Sequence, residues 1–170
     1  MDHTVWYRRR WVATSLFGLA FAVPFFVTLA AMETCAASAP NDRIVQSAKT
    51  HRIVFQINSD DPVAMKHAIT NSLNALKNYG EKGELAAIEI VAYGPGVHMF
   101  RSDTSPVKDL LQFLRANHPD VRFSVCGNTR MIMEQKEGHP LVLVDGAEVV
   151  PFGVVRLVEL QEAGWTYLRP

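Results

Sequence analysis

Cys126 is the residue of this 170-residue chain with the most reactive chemistry to offer. A thiol works as its thiolate, which is at once nucleophile, metal ligand and sulfur acceptor. Two cysteines are encoded. Cys35 lies in what reads as an export leader, so its removal leaves Cys126 without an intramolecular partner. An unpaired thiol in an oxidising compartment is either buried or used. The run from Val121 to Cys126 is rich in β-branched and aromatic residues, and Gly127, Asn128 and Thr129 follow. That is a strand handing over to a helix, with Asn128 as the expected cap and Arg130 one turn on. A helix N-terminus and a nearby cation both favour the thiolate. The competing reading is a buried, inert cysteine acting as a small apolar residue.

Other candidates are weaker. Gly94, Pro95 and Gly96 form a tight loop at a strand end. Its backbone N–H groups would suit a ligand, but it lacks the spacing and the Lys-Ser/Thr of a phosphate loop, and a turn suffices to explain it. His98 follows the loop; paired with Cys126 it would activate the thiol, and its plainer reading is a solvated loop histidine. The six histidines show no metal-ligand spacing, so no metal is expected, and no nucleotide or other cofactor motif is visible. Asn71, Asn74 and Asn78 share a helix face that reads as solvated, and Arg156 with Glu159 reads as an intrahelical pair. Trp165 and Tyr167 share a strand face, suited to a core or an oligomer interface.

The first 39 residues do not read as part of the fold. Arg8, Arg9 and Arg10 precede an uncharged, mostly apolar run from Trp11 to Ala31, and Ala37, Ser38 and Ala39 fit a small-x-small cleavage site. The expectation is export to the periplasm or beyond; the rival is an uncleaved membrane anchor, since the run is marginally long enough to span a bilayer. Residues 40–50 read as a polar linker and 51–170 as one domain, large enough for its own core. The whole chain balances 17 basic against 17 acidic residues, so nothing holds a phosphate backbone and nucleic acid is not an expected partner.

In the domain, strands alternate with helices. His51 to Asn58 reads as a first strand. Asp61 caps a helix with Pro62 at its first position and Met65, Ile69, Leu73, Leu76 and Tyr79 on one face, ended by Gly80 and Gly83. Leu85 to Tyr93 is nearly all apolar around Glu89, as in a strand covered on both faces. A helix opens at Ser105 and Pro106, with Val107, Leu110, Leu111 and Leu114 inward. The strand to Cys126 follows, then a short helix to Glu137. Residues 141–150 fit either a hairpin about Asp145 and Gly146 or a loop into one strand at 147–150. A helix over 154–163, closed by Gly164, and a strand over 165–168 complete the chain. This order predicts an α/β sandwich with a mainly parallel sheet. Ligands bind such sheets at the carboxyl ends of the strands, which is where Cys126 falls.

Three blocks carry a resemblance: residues 91–97 (Val-Ala-Tyr-Gly-Pro-Gly-Val), 123–129 (Phe-Ser-Val-Cys-Gly-Asn-Thr), and above all the tail over 149–168. Together they resemble the DsrE/DsrF-like family over about residues 50–170, and its exported, stand-alone branch more than its sulfur-relay subunits. The resemblance implies a flavodoxin-like α/β/α domain with a five-stranded sheet, homo- or hetero-oligomers, and the single fourth strand. Relay members carry sulfur as a persulfide on a cysteine at a strand end, and Cys126 holds the matching position, with Gly94, Gly96, Gly127, Asn128 and Thr129 as its surrounding loops. The implied function is handling of reduced sulfur, with a donor or acceptor protein as partner. The alternative is a non-catalytic oligomeric binding or assembly module.

Overall fold

The computed structural model describes residues 48–170. The leader, its cleavage site, Cys35 and most of the linker lie outside the described residues. Among those described, no helix is long and apolar enough to cross a membrane.

Five strands form one sheet: β1 (Thr50–Ile57), β2 (Leu85–Ala92), β3 (Arg122–Cys126), β4 (Ala147–Val150) and β5 (Thr166–Leu168). All are parallel, in the order β4-β3-β2-β1-β5. The helices are α1 (Pro62–Glu81), α2 (Lys108–Asn117), α3 (Gly127–Glu137) and α4 (Gly153–Glu162). From β1 to β4 the chain steps across the sheet in one direction, and from β4 to β5 it returns past its starting point. Parallel crossovers are right-handed in nearly all proteins. The first three connections therefore share one face of the sheet and α4 takes the other.

The packing follows. Alternate strand residues Ile53, Phe55, Ile57, Ile88, Ile90, Phe123 and Val125 meet Met65 and Ile69 of α1 and Leu111 and Leu114 of α2 in the main core. The opposite face is smaller: Val54 and Val91 meet Leu157 and Leu160 of α4, with Tyr93 and Trp165 at the margin. At about 1.5–3 kcal/mol for each large apolar side chain buried, the first face supplies most of the driving force.

Local signals explain most elements. The Asp61 side chain accepts the Val63 N–H at 2.9 Å, and Pro62 opens α1 as expected. Some boundaries differ from the sequence reading. Helix α1 runs past Gly80 to Glu81, because a single glycine inside a long helix costs only about 1 kcal/mol, and the turn comes at Gly83, with φ +70°. Gly94, Pro95 and Gly96 open a 3-10 helix over Gly94–Phe100 rather than a bare turn. Helix α2 starts at Lys108, after Ser105 has used its hydroxyl to accept the Val107 N–H at 3.3 Å. Of the two readings left open for 141–150, the structure has the loop into one strand: Leu141 and Val144 are buried, Leu143 bridges Arg101, and 147–150 form the fourth strand.

Helix α3 has no fully buried residue, and polar ties fix it. Arg101, itself 3% exposed, reaches Glu137 with two bonds of 2.6 and 2.9 Å and Asp103 with two of 3.0 and 2.7 Å. Glu134 accepts the Leu141 N–H at 2.9 Å and Arg130 Nε at 2.8 Å.

Two outcomes follow for stability. A Cβ at Gly96 would lie 2.2 Å from the Ile57 carbonyl oxygen, backbone that cannot yield, so Gly96→Ala should cost about 3 kcal/mol; urea unfolding checks this, and a loss under 1 kcal/mol is the contrary result (roughly what surface changes cost). The Arg101 guanidinium pulls the Asp103 carboxyl from 3.8 down to about 2 and Glu137 in the same direction. A carboxylate depressed by folding stabilises above its unfolded value, and that stabilisation is lost as pH falls. The melting temperature should therefore drop between about pH 4 and pH 2, and Arg101→Met, less stable at pH 7, should show a smaller drop across that window.

Candidate functional site

Strands β3 and β4 are neighbours, with Cys126 paired in register to Val150. From those two ends the chain departs in opposite directions, into α3 over the first face and, after Pro151 and Phe152, into α4 over the second. In open α/β sheets such a divergence leaves the crevice where ligands bind. Cys126 is the last residue of β3, and Ser124 and Cys126 alternate with the first-face residues Phe123 and Val125, so both belong to the α4 side. It is 5% exposed.

The two helix starts converge on its sulfur. Cys126 is the N-cap of α3, the place the sequence reading gave to Asn128, and Gly153 is the first residue of α4. Burial pushes the thiol pKa up. Against that, the N–H groups of Gly153, Thr129 and Asn128 and the Thr129 hydroxyl all stabilise the charged form, and the net result lies below the ordinary thiol value. The neutral thiol closes no capping hydrogen bond of its own; the donors act on the thiolate, the better acceptor. The Thr129 hydroxyl oxygen accepts the Gly94 N–H at 3.0 Å, which leaves its proton for the sulfur. The Asn128 N–H also meets the Pro151 carbonyl at 3.2 Å, stitching the two strand ends together.

This approach requires Gly153. A Cβ there would sit 3.2 Å from Cys126 Cβ and 3.0 Å from Tyr93 Cβ. At Gly127 a Cβ would meet Val149 Cγ1 at 3.1 Å and the Val150 oxygen at 3.2 Å. Of the anticipated loop residues, Asn128 and Thr129 act on the sulfur, Gly94 acts through Thr129, Gly127 lets the strands close, and Gly96 packs on Ile57. The other two candidates are placed elsewhere. Arg130 donates to Glu134, and His98, half-buried on the 3-10 helix, faces Thr104 Oγ1 at 3.3 Å.

Residues 51–170 match the DsrE/DsrF-like family. The chain belongs to that family. Among solved structures, the DsrE-like domain is similar to a protein of unknown function, MTH1491, from Methanobacterium thermoautotrophicum: 34% identity, 71% of this chain and 99% of that one covered, TM-score 0.60. No curated protein matches. The five-stranded, all-parallel sheet is the flavodoxin-like α/β fold that the DsrE resemblance implied.

Sequence reasoning missed three parts of this DsrE-like site. Gly153 falls just before the helix read over 154–163, and its approach to Cys126 was not anticipated. Arg156 read as the partner of Glu159, but that contact is 3.5 Å long; its main partner is Glu89, 67 positions earlier, reached by two 2.8 Å bonds. Ser124 donates to the same carboxylate at 2.7 Å. A lone acid inside an apolar strand was the available signal of a buried partner. Finally, Tyr167 donates to Gln56, and Gln56 to the Tyr93 hydroxyl, a row across β5, β1 and the end of β2 beside Gly153.

Thr129→Val removes the hydroxyl donor while keeping the volume. It should raise the pH at which Cys126 becomes reactive and slow its alkylation at pH 7 several-fold (about one neutral hydrogen bond's contribution); an unchanged pH–rate profile would show that the hydroxyl does not act on the sulfur.

Proposed function

We propose that this DsrE-like protein is exported and carries sulfane sulfur as a persulfide on Cys126, as a carrier more than a turnover enzyme. The observation behind this is the convergence of two helix starts on one sulfur, which favours the thiolate despite its burial. The thiolate attacks the outer sulfur of a persulfide or polysulfide. The donor's S–S bond breaks, a new S–S bond forms at Cys126, and the donor leaves as a thiolate or shortened polysulfide. No external oxidant or reductant is consumed. The bound persulfide anion inherits the same N–H and hydroxyl donors, and delivery to an acceptor thiolate is the reverse step. Burial to 5% favours a small donor over a bulky one. Arg130 and His98 have no part in this scheme, being engaged by Glu134 and Thr104.

A second reading has its own support. The outer face of α4 leaves Val154, Val155 and Val158 exposed, with Phe152 beside them, an apolar surface suited to homo-oligomer assembly. In that reading Cys126 is inert and the protein is a binding module.

Intact mass before and after brief polysulfide exposure separates the two. The carrier should gain mass in steps of ~32 Da, one sulfur each, lost in Cys126→Ser. No gain, with Cys126 labelled only in denaturant, selects the assembly module.

A further inference from the structure

We propose that the ion pair between buried Glu89 and half-buried Arg156 is a positioning clamp for Cys126, fixing α4 so that its first N–H meets the sulfur. The proposal builds on the working-thiolate reading above and identifies what sets that state. The apolar anchors of α4, Leu157 and Leu160, lie beyond its first turn. In that turn Gly153 has no side chain, and Val154 and Val155 face outward. Leu157 and Leu160 meet only a small apolar patch, which leaves the helix free to slide or roll. Arg156 removes that freedom. Its Nε and Nη2 meet the two Glu89 oxygens at 2.8 Å each, a fork that specifies distance and plane together. Glu89 is fully buried at the middle of the sheet, and Ser124 fixes one of its oxygens. Ser124 and Cys126 lie two residues apart on the same side of β3. One strand thus carries both the clamp's third member and the thiol, and one helix carries both the clamp's cation and the Gly153 N–H.

The charges facing the clamp are few. Glu89 meets Arg156 from α4 and Arg122 from β3, and Arg156 also meets Glu159 on its own helix. The groups acting on Cys126 are uncharged donors. Arg156→Lys is the deciding variant, since it keeps the charge and loses the fork.

The test is the pH dependence of iodoacetamide alkylation of the full chain. It is read on the tryptic peptide 123–130, which separates Cys126 from Cys35. Arg156→Lys should shift the profile upward by about one pH unit and slow alkylation at pH 7 roughly tenfold. Ser124→Ala should shift it less and in the same sense. Ile69→Val, which loosens the opposite face, should leave it unchanged. A wild-type profile in folded Arg156→Lys and Ser124→Ala overturns the clamp, and so does an equal shift in Ile69→Val, which would mean general loosening. If the variants show the predicted shifts while the wild-type protein takes up no sulfur, the clamp stands and the carrier reading falls. If the wild-type protein takes up sulfur while Arg156→Lys keeps the wild-type profile, the carrier reading stands and the clamp falls.

Discussion

Parallel strands joined by right-handed crossovers leave a chain little choice about where its helices go. Three steps one way across the sheet commit three connections to one face, and the single step back commits α4 to the other. The crevice between β3 and β4 is where those commitments part. Cys126 ends one of the two strands, and Gly153 opens the helix leaving the other. The position of Cys126 is thus fixed by topology before any side chain is chosen; the side chains decide what can happen there. Glycine at 127 and 153 lets the strand and helix ends close, and Thr129 turns a structural contact with Gly94 into a donor for the sulfur.

The two faces of the sheet are stabilised differently. The first is a broad apolar layer built by α1 and α2. The second has, among the described residues, a single helix over a narrow apolar strip, with a carboxylate at its centre. Burial alone would raise the Glu89 pKa, but its bonds from Arg156 and Ser124 outweigh that and keep it ionised. An ion pair with one partner buried adds little net stability compared with well-packed apolar residues, yet losing Arg156 would strand the buried Glu89 charge. Its contribution is a single geometry, on the face where a slipping helix would do most harm to the site.

Periodicity and turn chemistry made much of the fold legible in the sequence. The cap at Asp61, the apolar faces of α1 and α2 and the continuous β2 are local patterns, and local physics reads them. The strand end at Cys126 was legible for the same reason, as was the helix beyond it. The partner of Arg156 was not, because helix spacing points to Glu159 and nothing local joins residue 156 to residue 89. The cap of α3 was misplaced by two residues because propensity favours Asn over Cys, and it cannot see that the sulfur is also approached by a second helix. The glycines at 94 and 96 announced a turn; their closeness to Thr129 and Ile57, like that of Gly153 to Cys126, exists only once the strands are paired.

The sheet is also deep at its centre and shallow at its sides. β1 and β2 each have eight residues, whereas the flanking β4 and β5 have four and three. An incoming chain seeking to extend the ladder finds only three or four unpaired positions on either side, too few for a register to hold. Fibril-like stacking through strand addition is thereby discouraged. On the outer helix surfaces, by contrast, a change of one residue alters the fit to a neighbour without disturbing the backbone hydrogen bonds beneath.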